Sequence, residues 1–171
     1  EVIFFYPSGT SQTPNKYIKY QYLDGLWDIG TLSRGCFIDE GVFDYSIAAD
    51  PDGYVFYHEK GNLFNSFGLG AAEPYATSGA IELGNGDNYI HAKQILPDSE
   101  SNTLPGVTLS FDGKFTPLGE TFDFGSFTFE SDGYTNCRFS GRQVMLTVTG
   151  DTNQNWRLGN IRIDVQKQGR R

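Results

Sequence analysis

Three observations predict an all-β fold for this chain. Apolar residues recur at every second position, and no stretch carries the three-to-four spacing of an amphipathic helix. Gly, Asp and Asn interrupt the runs at short intervals, as strand-connecting turns require. Aromatic residues make up 15% of the composition, with 14 Phe and 10 Tyr against a single Met, Met145. Flat rings pack well on a pleated surface, so this usage favours strands. At 171 residues the chain is one large domain or two small ones, long enough to bury a core without a disulfide framework or a structural metal.

Taken in order, "EVIFFYP" reads as a first strand, and "SGTSQTPN" as the polar turn that ends it. "KYIKYQYLDGLWDIG" reads as a hairpin: Tyr17, Lys19 and Gln21 alternate with Ile18, Tyr20 and Tyr22, and Asp24-Gly25 is the pair a tight turn prefers. Trp27 and Ile29 continue the apolar face, and Trp27 is expected as a core anchor. "GCFIDEGVFDYSIAADPDGYVFYHEKG" repeats the pattern around Pro51-Asp52-Gly53. The two hairpins resemble successive outer strands of propeller blades, at a spacing shorter than the roughly forty residues of a blade repeat.

"NLFNSFGLGAAEPYAT" is rich in Gly, Ala and Asn without regular alternation, which marks a linker and a boundary near Tyr75. Residues 1–75 are then a propeller-like hairpin region, and residues 76–171 hold six or seven further strands, which suits an antiparallel β-sandwich. In "RQVMLTVTG", Val144, Leu146 and Val148 point inward while Gln143, Met145, Thr147 and Thr149 point outward. In "WRLGNIRIDVQ", Trp156, Leu158, Ile161, Ile163 and Val165 form the apolar set, with Gly159-Asn160 shifting the phase once as a bulge does. Trp156 and Phe139 are the other two expected core anchors.

Charge is separated along the chain. The total is -8, yet residues 138–171 hold seven basic and two acidic residues, leaving six basic and nineteen acidic in residues 1–137. Arg142, Arg157 and Arg162 lie on one connected surface if the last two strands pair. One reading makes these arginines a solvated face partnered by the chain's own carboxylates. Another makes Arg138, Arg142, Arg157, Arg162, Arg170 and Arg171 one side of a heterologous interface that meets acidic surface on the next subunit, as in a head-to-tail ring. The basic segment lacks the aromatic interleaving of single-strand binders, and the overall acidity opposes general nucleic-acid binding. An acidic wall nevertheless suits a passage along which DNA slides without adhering.

No stretch approaches the length of a membrane-spanning helix, and no signal segment opens the chain. The chain enters directly as a strand without an initial Met, so a longer or processed product is expected. Cys36 and Cys137 fit no zinc or redox spacing and are expected as two buried free thiols, with a disulfide as the alternative. "HE" at His58-Glu59 lacks the second His of a helical zinc site, and His91 stands alone. "DTNQN" opens like a calcium loop, but Trp156 stands where Gly is needed and Arg162 where the closing Glu is needed. "DPDG" at positions 50–53 is read first as a turn. No nucleophile elbow, phosphate loop or recognisable carboxylate pair occurs, so no enzyme, cofactor or metal is expected.

"FFYPSG", "NKYIKYQYLDGLWDIG", "AADPDGYVFYHEKG" and the ending "SGRQVMLTVTGDTNQNWRLGNIRIDVQKQGRR" together resemble the C-terminal portion of tail proteins of short-tailed bacteriophages, of the tail-nozzle and DNA-stabilisation kind. The marks are "GRQ" opening a strand, "WRLG", "R-x-D-V" and the terminal "GRR". The resemblance implies an oligomeric β-rich tube, commonly built on a propeller, around the DNA exit path of the virion and assembled in the host cytoplasm. Its partners would be further copies, neighbouring tail proteins and genomic DNA in passage, with no membrane. The chain departs from that family in being far too short for a complete propeller. The rival reading is a carbohydrate-binding β-sandwich module, with Tyr17, Tyr20, Tyr22, Trp27, Tyr54 and Tyr57 as a platform for sugar rings; the same tyrosines also make sense as cross-strand pairs.

Overall fold

Alternation in the sequence becomes sixteen strands and no helix among the described residues. The computed structural model describes residues 1–60, 64–65, 71–83, 88–96, 107–130, 133–150 and 159–169. All strand pairs are antiparallel, in several separate sheets, none of which closes on itself. The chain divides into two compact units, Glu1–Gly61 and Asn62–Arg171.

The first unit holds two three-stranded meanders. Val2–Tyr6 (β1), Lys16–Gln21 (β2) and Leu26–Thr31 (β3) pair in that order, and Cys36–Ile38 (β4), Ile47–Ala49 (β5) and Val55–Tyr57 (β6) do the same. Both turns read from the sequence are present. Gly25 closes the β2–β3 connection at φ +69°, and Gly53 closes the β5–β6 connection at φ +92°, a region that side chains rarely adopt. At the second turn the Asp50 carboxylate accepts from the Tyr54 N–H at 2.9 Å and the Asp50 carbonyl accepts from the Gly53 N–H at 3.2 Å. The "DPDG" carboxylate is therefore a turn element.

In the second unit, Phe64–Asn65 (β7) and Ala71–Ala72 (β8) form a two-stranded ribbon. Tyr75–Thr77 (β9), Ile81–Glu82 (β10), Ile90–Leu96 (β11), Thr108–Lys114 (β12), Phe122–Thr128 (β13), Thr135–Gly141 (β14), Gln143–Thr149 (β15) and Arg162–Lys167 (β16) complete the order. One sheet runs β10-β15-β12-β13, with β9 also on β15; another runs β14-β11-β16. They share one core. Leu109, Phe111, Val144 and Val148 come from the first sheet, and Ala92, Ile95, Cys137 and Phe139 from the second, all at 5% exposure or less. Each large apolar side chain buried in this way contributes about 1.5–3 kcal/mol. The rings of Phe111 and Phe139 lie 4.9 Å apart across the core.

A bulge completes that packing. The β12–β13 register slips between Phe111 and Asp112, opposite Phe124, and Gly125 takes φ +102°. The extra residue turns Phe124 inward to stack on Phe139 at 5.2 Å. Phe124 then lies over Gly113 and Gly141, where an added side chain would meet its ring.

Four expectations change. Tyr75 opens a strand paired to β15, so the boundary falls at Gly61 and not near Tyr75. Trp27 is no core anchor, being 65% exposed on a face of the sheet that no described residue of its unit covers. Cys36 is exposed, at the end of a short outer strand, whereas Cys137 is buried; both thiols are free. Finally, β15 and β16 are not neighbours: β15 lies between β12 and the β9 and β10 pair, while β16 is on β11 in the other sheet.

Candidate functional site

Two surfaces stand out, one in each unit. The first is a face of the β1-β2-β3 meander. Residues directly opposite in an antiparallel ladder share a face, so the register Val2↔Tyr20↔Trp27 and Phe4↔Ile18↔Ile29 gathers six apolar side chains on one side. Val2, Phe4, Trp27 and Ile29 are exposed, Ile29 at 72%. Tyr20 and Trp27 stack at 4.4 Å as a cross-strand pair. The opposite side is mixed, with Ile3, Phe5 and Leu26 beside a tied polar group. Lys19 sits 3.6 Å from Asp28 and 4.0 Å from Glu1, and the Tyr17 hydroxyl donates to Asp28 at 3.2 Å. The exposed apolar cluster is the informative point, because contiguous apolar surface marks a place where something else packs.

The second meander is organised around a cation. Arg34 is 6% exposed; its guanidinium lies 4.5 Å from the Phe56 ring centroid, its Nε donates to His58 Nε2 at 2.9 Å, and Nη1 donates to the Ser33 carbonyl at 2.6 Å. Burial lowers the His58 pKa below its ordinary value, and the adjacent Arg34 charge lowers it further. Burial likewise lowers the pKa of Arg34, opposed by the Asp50 charge. A neutral His58 is the acceptor this geometry needs. Between β4 and β5 the connection carries Asp39, Glu40 and Asp44 around an almost fully exposed Val42, at 96%.

The second surface is a depression of about 460 Å³ on the outward face of the β14-β11-β16 sheet, lined by His91, Lys93, Gln94, Asn136, Arg138 and Asp164. Strand alternation explains most of it: Thr135, Cys137 and Phe139 go into the core, so Asn136 and Arg138 face out. A register slip between Ala92 and Gln94 supplies the rest. Inward Ala92 and Ile95 are three residues apart, which leaves both Lys93 and Gln94 on the outer face. Two cross-strand bonds fix the floor: His91 Nδ1 with Ser140 Oγ at 3.0 Å, and Gln94 Nε2 donating to Asn136 Oδ1 at 3.3 Å. Lys93 and Arg138 give two cations against one carboxylate, Asp164, and neither cation is in an ion pair among the described residues.

The structure separates the arginines that the sequence grouped. Arg138 lines the depression, and Arg162 is exposed at the start of β16 on the same sheet. Arg142 is half-buried with its guanidinium 4.8 Å from the Tyr89 ring centroid, between β14 and β15. Arg157, Arg170, Arg171 and Trp156 lie outside the described residues, as does the Asp151 segment. Phe139 sits in the core at 5% exposure. Sequence reasoning missed Lys93, Gln94 and Asn136 and set His91 aside; their signal is a strand that alternates buried and outward residues with one extra polar residue. Among the described residues no group of three or more His, Cys, Asp or Glu side chains is placed to hold a metal, and no helix is long and apolar enough to cross a membrane. In comparison with known proteins, no family model matches the chain and no curated protein matches it.

Proposed function

We propose that this chain is a structural subunit of a bacteriophage tail, of the nozzle or DNA-stabilisation kind, that assembles into a ring around the DNA exit channel. The tail assignment rests on the resemblance carried by "GRQ", "WRLG", "R-x-D-V" and "GRR". The observation that carries the assembly reading is the uncovered apolar face of Val2, Phe4, Trp27 and Ile29. Burying such a face against another subunit removes from water side chains worth about 1.5–3 kcal/mol each. The finer architecture that goes with this reading is a β-sandwich in residues 62–171 and blade-like meanders before it. The work of such a subunit is mechanical, with no catalytic step and no cofactor, and an acidic chain with net charge -8 gives transiting DNA little to adhere to.

The test is the mass in solution by light scattering for the whole chain and for a Trp27→Ser, Ile29→Ser variant. The reading expects a discrete oligomer for the first and a folded monomer for the second. Unchanged assembly of the variant would remove the apolar face from the account.

Exposed Tyr22, Trp27, Tyr54 and Tyr57 also favour the second reading, a carbohydrate-binding module. Quenching or enhancement of Trp27 fluorescence by oligosaccharide, from a chain that stays monomeric, would select it.

A further inference from the structure

Resting on the assembly reading, the inference concerns how one subunit selects the next. The depression on β14-β11-β16 presents Lys93 and Arg138 to solvent with His91 at its side, on a floor of amides that Gln94 and Asn136 hold in place. Charged side chains projecting from a rigid three-stranded sheet are positioned more firmly than charges on a loop. In the other unit, which holds four basic and nine acidic residues, the β4–β5 connection projects Glu40 and Asp44 on either side of Val42. Asp39 is committed locally, accepting from the Glu40 N–H at 3.0 Å and from Ser46 Oγ at 3.5 Å, while Glu40 and Asp44 are exposed and in no ion pair among the described residues. The loop is also braced by the Gly41 N–H donating to the Phe43 carbonyl at 3.2 Å.

We propose that loop 39–44 of one copy seats in the depression of a second copy, with Glu40 and Asp44 reaching Lys93 and Arg138. Because loop and depression are different surfaces of one chain, the contact is heterologous and propagates head to tail, closing into a ring if the rotation closes. Charge complementarity of this kind fixes register and excludes wrong partners more than it adds affinity, leaving the adhesive part to apolar surface.

The experiment uses the full chain and two charge-reversed variants, Glu40→Lys with Asp44→Lys, and Lys93→Glu with Arg138→Glu. All four positions are exposed, so the fold, followed by circular dichroism, is expected to persist. Each variant alone is expected to fall to the mass of one chain, and an equimolar mixture of the two is expected to assemble again, since each reversed loop then meets a reversed depression. Failure of the mixture to recover overturns the docking, as does wild-type assembly that neither variant alters. Loss of assembly in the Lys93 and Arg138 variant with none in the Glu40 and Asp44 variant overturns the loop as occupant. A wild-type chain that is monomeric at low salt overturns the assembly reading itself, and the docking with it.

Discussion

Units Glu1–Gly61 and Asn62–Arg171 are built from the same kinds of strand and use them in opposite ways. The first carries thirteen of the twenty-six aromatic residues, yet its only buried apolar residue among those described is Ala48. The second buries ten of those described, from Ile90 to Val148, most of them in one cluster drawn from two sheets. Aromatic richness thus measures the material available for a core and does not tell whether a second layer exists to cover it. Three strands with a hydrophobic face are about the least that is stable alone, and the first unit adds to this Arg34 inserted against Phe56 and His58.

The sharpest way to break this contrast is truncation in each unit. Phe111→Ala removes the largest fully buried side chain and is expected to cost about 3–5 kcal/mol. Trp27→Ala, which deletes a larger ring at 65% exposure, is expected to leave the stability of a monomer nearly unchanged in chemical denaturation. Equal losses would mean that the apolar face of the first meander is covered within the chain.

A smaller effect concerns pH. His58 has a lowered pKa in the fold, so below its ordinary value of about 6.5 the unfolded chain takes up the proton first. The stabilisation is fully present above that pH and is lost as pH falls. Amide protection factors in β5, corrected for the intrinsic exchange rate, should therefore fall between pH 7 and pH 5 while those in β12 hold, and His58→Gln, which keeps an acceptor for Arg34, should flatten the response. An identical fall in both strands would place the titrating group elsewhere.

The smallest perturbation is chemical labelling of the two thiols. Cys36 is exposed, whereas burial pushes the Cys137 thiol up to about 11. One maleimide per folded chain is expected by mass spectrometry, and two in denaturant. Labelling of Cys137 at the rate of Cys36 would show that the second core opens readily.

Local features were legible in the sequence. The Asp24-Gly25 and Asp52-Gly53 turns stand where they were expected, and Val144 and Val148 point into the core with Leu146 packed against it. What failed was long-range. Alternation fixes which side chains share a face but not which strand lies alongside, so β15 and β16, adjacent in sequence, fell into different sheets. The same limit hid the depression, since Arg138, Lys93 and Asp164 come from three strands and meet only through the register of β11 with its neighbours. Trp27 was misjudged for a related reason: the pattern on a strand is the same whether its apolar face meets another sheet or solvent.

The tandem arrangement of β9 and β10 along β15 has a consequence for how the protein avoids unwanted polymers. Only three residues, Tyr75–Thr77, and then two, Ile81–Glu82, form the outer lip of that sheet. Between them Ser78 replaces the ladder, its N–H donating to the Leu146 carbonyl at 2.8 Å and its hydroxyl accepting from the Leu146 N–H at 3.0 Å. A foreign strand aligned on this lip runs out of partners within a few residues, which blunts the edge against runaway cross-chain ribbon growth. Copies of the protein can then be crowded together without this edge seeding fibres.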